Sequence, residues 1–194
     1  MNYRWCTLVV SLLMTTICWA QTNHLTENDK VLLNKAAVDK VERFQTNCRY
    51  IANVKVPNAQ KQNAIRTSLL DFVDGAKIIV TSLNGVQQKP KLVKTYLERL
   101  AYRMKDVYAF IDITFMDCHV ASDFTPDPNE PGTYVGVVKV IQYFNAMNKE
   151  SRWVNDVTVR EYKVKAKPHD IIRNNKTQRL WSIKLSHIEG RAVQ

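Results

Sequence analysis

Apolar residues recur first at helical intervals. Between Leu25 and Ile51, Val31, Leu32, Ala36, Val38, Val41, Phe44 and Cys48 gather along one stripe of a helix. Thr26 precedes them with Asp29 three residues on, which resembles the reciprocal cap of a helix start. Pro57 interrupts the pattern, and a second helix is predicted over 59–73 with Ile65, Leu69, Leu70, Phe72 and Val73 inward. Gly75 in "VDG" then stands where a helix stops. "AKIIVTSL" (76–83) reads as a β-branched strand that closes on the turn signal Asn84-Gly85. "KPKLVKTYLERLAYRM" (89–104) returns to helical spacing, with Val93, Tyr96, Leu97, Leu100 and Met104 on one side and Pro90 in the opening turn.

The period then changes to two. Long strands are predicted over 107–120, 133–145, 152–167 and 179–188, the first two joined by the proline-rich "SDFTPDPNEPG". Successive strands joined by loops rather than crossover helices pair antiparallel. The resulting fold class is α+β: three N-terminal helices packed on the concave face of a strongly curved antiparallel sheet. Within 152–167 the apolar parity switches, from Trp153, Val157 and Val159 to Tyr162, Val164 and Ala166, which predicts a bulge or bend near Arg160-Glu161. Strand 107–120 is apolar on both faces. That suits a strand covered by helices on one side and a partner subunit on the other, so a homodimer through the convex face is expected.

Composition and the N-terminal segment add a compartment. "MNYRWCTLVVSLLMTTICWA" has Arg4, an apolar run from Leu8 to Trp19 and a small residue at Ala20, the layout of a secretory signal peptide cut near Ala20. The apolar run falls short of the roughly 20 residues that span a bilayer. Acylation at Cys18 is disfavoured by the preceding Ile17. The organisation read from this is 1–20 leader, 21–58 N-terminal helix and 59–194 remainder, with 21–194 forming one domain. Removing Arg4 with the leader leaves 27 basic against 18 acidic residues, a net +9. The basic residues are dispersed among acids rather than clustered, so no nucleic-acid footprint is present. Adhesion to an acidic glycan or anionic lipid stays open as an electrostatic alternative, with membrane contact peripheral at most. Two cysteines survive cleavage, Cys48 and Cys118, and either a disulfide or two buried thiols would suit them.

The order of elements, together with "LLDFVDGAKIIVTSL", "VKTYLERLAYRMKDVYAFIDI", "YVGVVKVIQYFNAM", "VNDVTVREYKVKAKP" and "LWSIKLSHI", resembles the nuclear transport factor 2-like (cystatin-like cone) superfamily. The closer likeness is to exported proteins of Gram-negative gut bacteria, and it covers about 59–188. The resemblance implies a pocket in the mouth of a cone, with Tyr108, Phe110, Phe115, Trp181 and Ile183 as its walls. It also implies a periplasmic or cell-surface location. Enzymes of this superfamily place a buried Asp or His there as general base, beside a donor for an oxyanion. Others are dimerisation modules or carriers, so the fold does not transfer an activity.

Three polar residues end the apolar run "DVYAFIDITFMDCHV". Strand alternation separates Cys118 from Asp117 and His119, which share a face about 7 Å apart. Asp117 and His119 are candidates for an acid-oriented base or a polar pair closing the strand. His187, in phase with Trp181, Ile183 and Leu185, is a candidate for the pocket or its rim. The histidines are scattered at His24, His119, His169 and His187, with no metal-ligand spacing, and no phosphate-binding glycine loop occurs. No metal and no cofactor is expected. The reading that follows is an exported, non-enzymatic binding or assembly module of the cell envelope, for a small hydrophobic ligand or an envelope protein. The alternative is an isomerase or dehydratase acting on a small hydrophobic substrate in the cone.

Overall fold

A computed structural model of the chain describes residues 25–80 and 88–193. The expected leader, His24 and the expected Asn84-Gly85 turn lie outside the described residues.

Helix α1 (Glu27–Ala52) starts where the cap predicts: the Asp29 N–H donates to Thr26 Oγ1 and the Thr26 N–H to Asp29 Oδ2, each at 3.1 Å. Its buried stripe is Leu33, Ala37, Val41, Phe44, Cys48 and Ile51. Val31 and Leu32 face solvent, because stepping back by four from Val41 reaches Ala37 and Leu33 instead. Helix α2 (Asn58–Leu69) is shorter than the apolar pattern suggests: Leu70 is 67% exposed, and Phe72 opens strand β1 (Phe72–Ile79). Gly75 therefore ends no helix. It lies inside β1 at φ +70°, where the pairing with the neighbouring strand shifts register, and a side chain would be strained there.

After the two-residue strand β2 (Lys91–Leu92), the third helix runs as α3 (Val93–Glu98), a π-helical turn (Arg99–Arg103) and α4 (Met104–Val107). Within that turn the Ala101 carbonyl accepts a hydrogen bond from the buried Lys61 ammonium of α2 at 3.2 Å. Four long strands follow: β3 (Tyr108–Pro126), β4 (Tyr134–Asn148), β5 (Trp153–Arg173) and β6 (Lys176–Ala192). They form the predicted antiparallel meander in a six-stranded sheet of order β2-β1-β6-β5-β4-β3, which β1 joins parallel to β6. The helices cover the inner, concave face, α1 lying chiefly against β3. Phe44 of α1 meets Phe72 and Tyr162 edge-on, at 5.0 and 6.1 Å between ring centroids. Each such buried aromatic or aliphatic side chain contributes about 1.5–3 kcal/mol.

No bulge interrupts the pairing of β5 at Arg160-Glu161. Pairing of β4 with β5 runs unbroken from Tyr134↔Ala166 to Met147↔Trp153. Thr158, Arg160, Tyr162, Val164 and Ala166 are all buried on the inner face. The parity only seems to switch in the sequence because two inward positions, Thr158 and Arg160, are polar. The sheet's irregularities lie elsewhere. Ser186 of β6 is left over between the pairs Lys163↔His187 and Val164↔Leu185, and β3 shifts register against β4 at several points. Beyond Pro168 the ends of β5 and β6 continue to a turn at Asn174-Asn175, as a two-stranded arm exposed from His169 to Leu180.

Candidate ligand cavity

Between the third helix and the inner faces of β3, β4 and β5 lies a cavity of about 480 Å³. Its apolar and aromatic wall comes from Tyr96, Leu100 and Met104 on the helical side, Tyr108 and Ile113 of β3, and Phe144 of β4. Its polar wall is Gln142 of β4 with Asp156, Thr158 and Arg160 of β5. The pairings Phe144↔Asp156, Gln142↔Thr158 and Val140↔Arg160 bring these residues to one face of the two strands. The half-buried Lys91 and the exposed Arg99 also reach the cavity, adding positive charge.

Arg160 is the unusual member. It is 4% exposed, its Nε donates to Gln142 Oε1 at 2.6 Å, and its guanidinium lies 5.8 Å from the centroid of the Tyr96 ring. Its Nη1 is buried with no hydrogen-bond partner, and among the described residues no carboxylate lies within ion-pair distance of it. Asp156, the carboxylate on the wall, instead accepts from Thr158 Oγ1 at 3.1 Å. A guanidinium held out of water with one neutral partner is costly, because bulk hydration is lost and only partly replaced. Burial raises the Tyr96 hydroxyl above the usual phenol range, an effect that the nearby Arg160 charge partly offsets, so Tyr96 is a neutral phenol near pH 7.

Of the five residues that the resemblance placed on the pocket wall, Tyr108 lines this cavity and four lie elsewhere. Phe110 is on the outer face against Trp153, with 6.0 Å between centroids. Phe115 lies under the Arg49 guanidinium at 5.4 Å. Trp181 meets Tyr134 edge-on, and its Nε1 donates to Asp29 at the start of α1 at 3.2 Å. Ile183 packs on the core away from the cavity wall.

Asp117 and His119 do meet, with His119 Nδ1 3.2 Å from Asp117 Oδ1, but on the exposed surface outside the cavity. Asp117 has φ +54° at the register shift between Met116 and His119. That bulge moves Cys118 onto the core side with Ile113 and Phe115, the reverse of the position that uninterrupted alternation gives it. His187, displaced by the extra Ser186, pairs with Lys77 and Lys163 and lies 3.7 Å from Glu189, not in the cavity. Cys48 and Cys118 are both free thiols, so the disulfide alternative is not taken. No group of three His, Cys, Asp or Glu converges as a metal site among the described residues. Spacing alone would not select Gln142, Asp156, Thr158 or Arg160. The available signal was the break in apolar parity at Thr158 and Arg160, which marks inward polar positions rather than a bulge.

No family model matches the chain, and no curated protein matches it. Among solved structures, it is similar to a protein proposed to be an aromatic ring hydroxylase from Novosphingobium aromaticivorans, at 10% identity and TM-score 0.51, over 88% of this chain and 93% of that one. A protein proposed to be a scytalone dehydratase from the same organism shares 11% identity over 86% of this chain and 89% of that one, with TM-score 0.43. An NTF2-like protein from Exiguobacterium shares 9% identity over 80% and 98%, with TM-score 0.34. Similarity at such identities bears on fold alone, and the first of these carries it.

Proposed function

We propose that this chain, with its nuclear transport factor 2-like cone, is an exported module of the cell envelope that binds a small, largely apolar ligand in the cavity. The observation that carries the reading is the cavity of about 480 Å³, walled by Tyr96, Leu100, Met104, Tyr108, Ile113 and Phe144 and served by a few buried polar groups. Small-molecule sites have this make-up and size. Binding is favoured over turnover because Asp117, His119 and His187, the acid–base candidates that the sequence singled out, stand outside the cavity. Among the described residues Asp156 is the one carboxylate on the wall, and the enzymatic alternative rests on it.

Protein recovered from an envelope fraction is the direct test. Its intact mass reports whether the chain begins near Gln21, and native mass spectrometry reports a bound molecule of a few hundred daltons. A molecule returned unchanged after incubation supports a binding module. Conversion of the molecule favours the isomerase or dehydratase alternative, and protein that stays empty in an envelope extract removes the reading.

A further inference from the structure

We propose that the ligand is an organic monoanion, a carboxylate on an aromatic or otherwise apolar body, and that Arg160 receives the carboxylate. The inference rests on the ligand-binding reading of the cavity and names its chemistry. Three observations converge on it. The Arg160 guanidinium is nine-tenths or more buried on the cavity wall, yet Nη1 has no partner and no carboxylate pairs with the side chain among the described residues. Gln142, itself buried, accepts from Nε at 2.6 Å and so fixes the orientation of the guanidinium while Nη1 keeps no acceptor. The rest of the wall is mainly aromatic and aliphatic, which suits an apolar body more than a sugar or a nucleotide.

A guanidinium offers a planar fork that matches a carboxylate in two parallel hydrogen bonds. Of the three cations on the wall only Arg160 is buried, whereas Lys91 is half-buried and Arg99 exposed, so one desolvated charge calls for one counter-charge, and a monoanion supplies it. Lys91 and Arg99 reinforce the positive sign, and Asp156 stands beyond ion-pair distance of Arg160 with Thr158 donating to it. The protein thus carries a desolvated charge that a carboxylate would complete.

The test compares 2-naphthoate with its neutral isostere 2-naphthamide by titration calorimetry, using the full mature chain and the variants Arg160→Met, Arg160→Gln and Arg160→Lys. The wild type binds the acid at least ~10-fold more tightly than the amide, since a charge-assisted fork is lost in the amide. In Arg160→Met and Arg160→Gln the preference falls to within ~2-fold while amide binding persists, and Arg160→Lys keeps part of it. Melting curves establish that each variant is folded, and Arg160→Gln serves should the methionine variant misfold. Equal binding of acid and amide by the wild type, or a preference that survives in Arg160→Gln, overturns the role of Arg160 and leaves the cavity reading standing. Failure of the wild type to bind either probe at millimolar concentration overturns both.

Discussion

Burial pushes the Cys48 thiol up to about 12, against a small opposing effect of the Arg160 charge. Cys118 rises to about 11 through its own burial and the negative charges of Glu42 and Asp117. The thiolate is the reactive species, so both residues are protonated and slow toward electrophiles near neutral pH. Iodoacetamide at pH 7.5 is expected to label the native protein slowly, the half-buried Cys118 before the enclosed Cys48, and to label both rapidly in denaturant. Peptide mapping over time checks this, and rapid native labelling of Cys48 would contradict its place under α1. The same two residues show what a sequence reveals at this scale. That Cys48 and Cys118 lie beyond the N-terminal apolar run is plain from the letters, but the side Cys118 faces depends on the bulge at Asp117, and no residue type announces a bulge there. Arg160 is the harder case. In "VNDVTVREYKVKAKP" it resembles Lys163 in chemistry, and its phase with Tyr162, Val164 and Ala166 is what separates a buried guanidinium from an exposed ammonium.

Asp71 joins two elements. It sits between α2 and β1 and accepts from Lys40 Nζ at 2.9 Å and from Arg43 Nε and Nη2 at 2.9 and 2.6 Å, all from α1. Burial alone would raise its carboxyl, but the hydrogen bonds and charges of Lys40 and Arg43 outweigh it and hold the group below the usual carboxylate range. The folded form therefore prefers the ionised acid. Its stabilisation is complete above the ordinary carboxylate value of roughly 4 and is lost as pH falls through the lower folded value. Replacing Asp71 by Asn is expected to cost about 1–3 kcal/mol in urea unfolding at pH 7, and the gap to wild type should narrow below about pH 4. A gap that stays constant down to pH 2 would rule out the ionic link. Element order was legible in the sequence: the Thr26 cap, the helical spacings and the four period-two segments each carried a local signal. Boundaries were less so. Phe72 and Val73 suit a helix face as well as a strand, and β1 is decided by pairing with β6, which no local pattern contains.

At the scale of the molecule, the outer face of the sheet brings together Phe110, Met116, Ile141, Tyr143, Trp153 and Val159, with Trp153 61% exposed. An apolar patch of this kind on a sheet suits a second copy of the chain, and we propose the dimer that the two apolar faces of strand 107–120 suggest. Sedimentation at micromolar concentration should find a dimer, and Trp153→Lys should shift it toward monomer without loss of secondary structure. A wild type that sediments as a strict monomer would sink the idea. The α+β fold was readable because many residues vote for it. The cavity was not, because its polar wall consists of a few inward positions on strands that are otherwise apolar. The β5–β6 arm extends past Pro168, exposed along both strands, so cross-strand hydrogen bonds alone guard its amides. Opening the arm need not disturb Tyr162, Leu185 or the rest of the core, so it requires only a fraction of the free energy of global unfolding. The protein consequently keeps two clocks. Deuterium entering the amides near Asn174, or a protease searching for a cleavable strand, reads the fast one long before the core registers any passage of time.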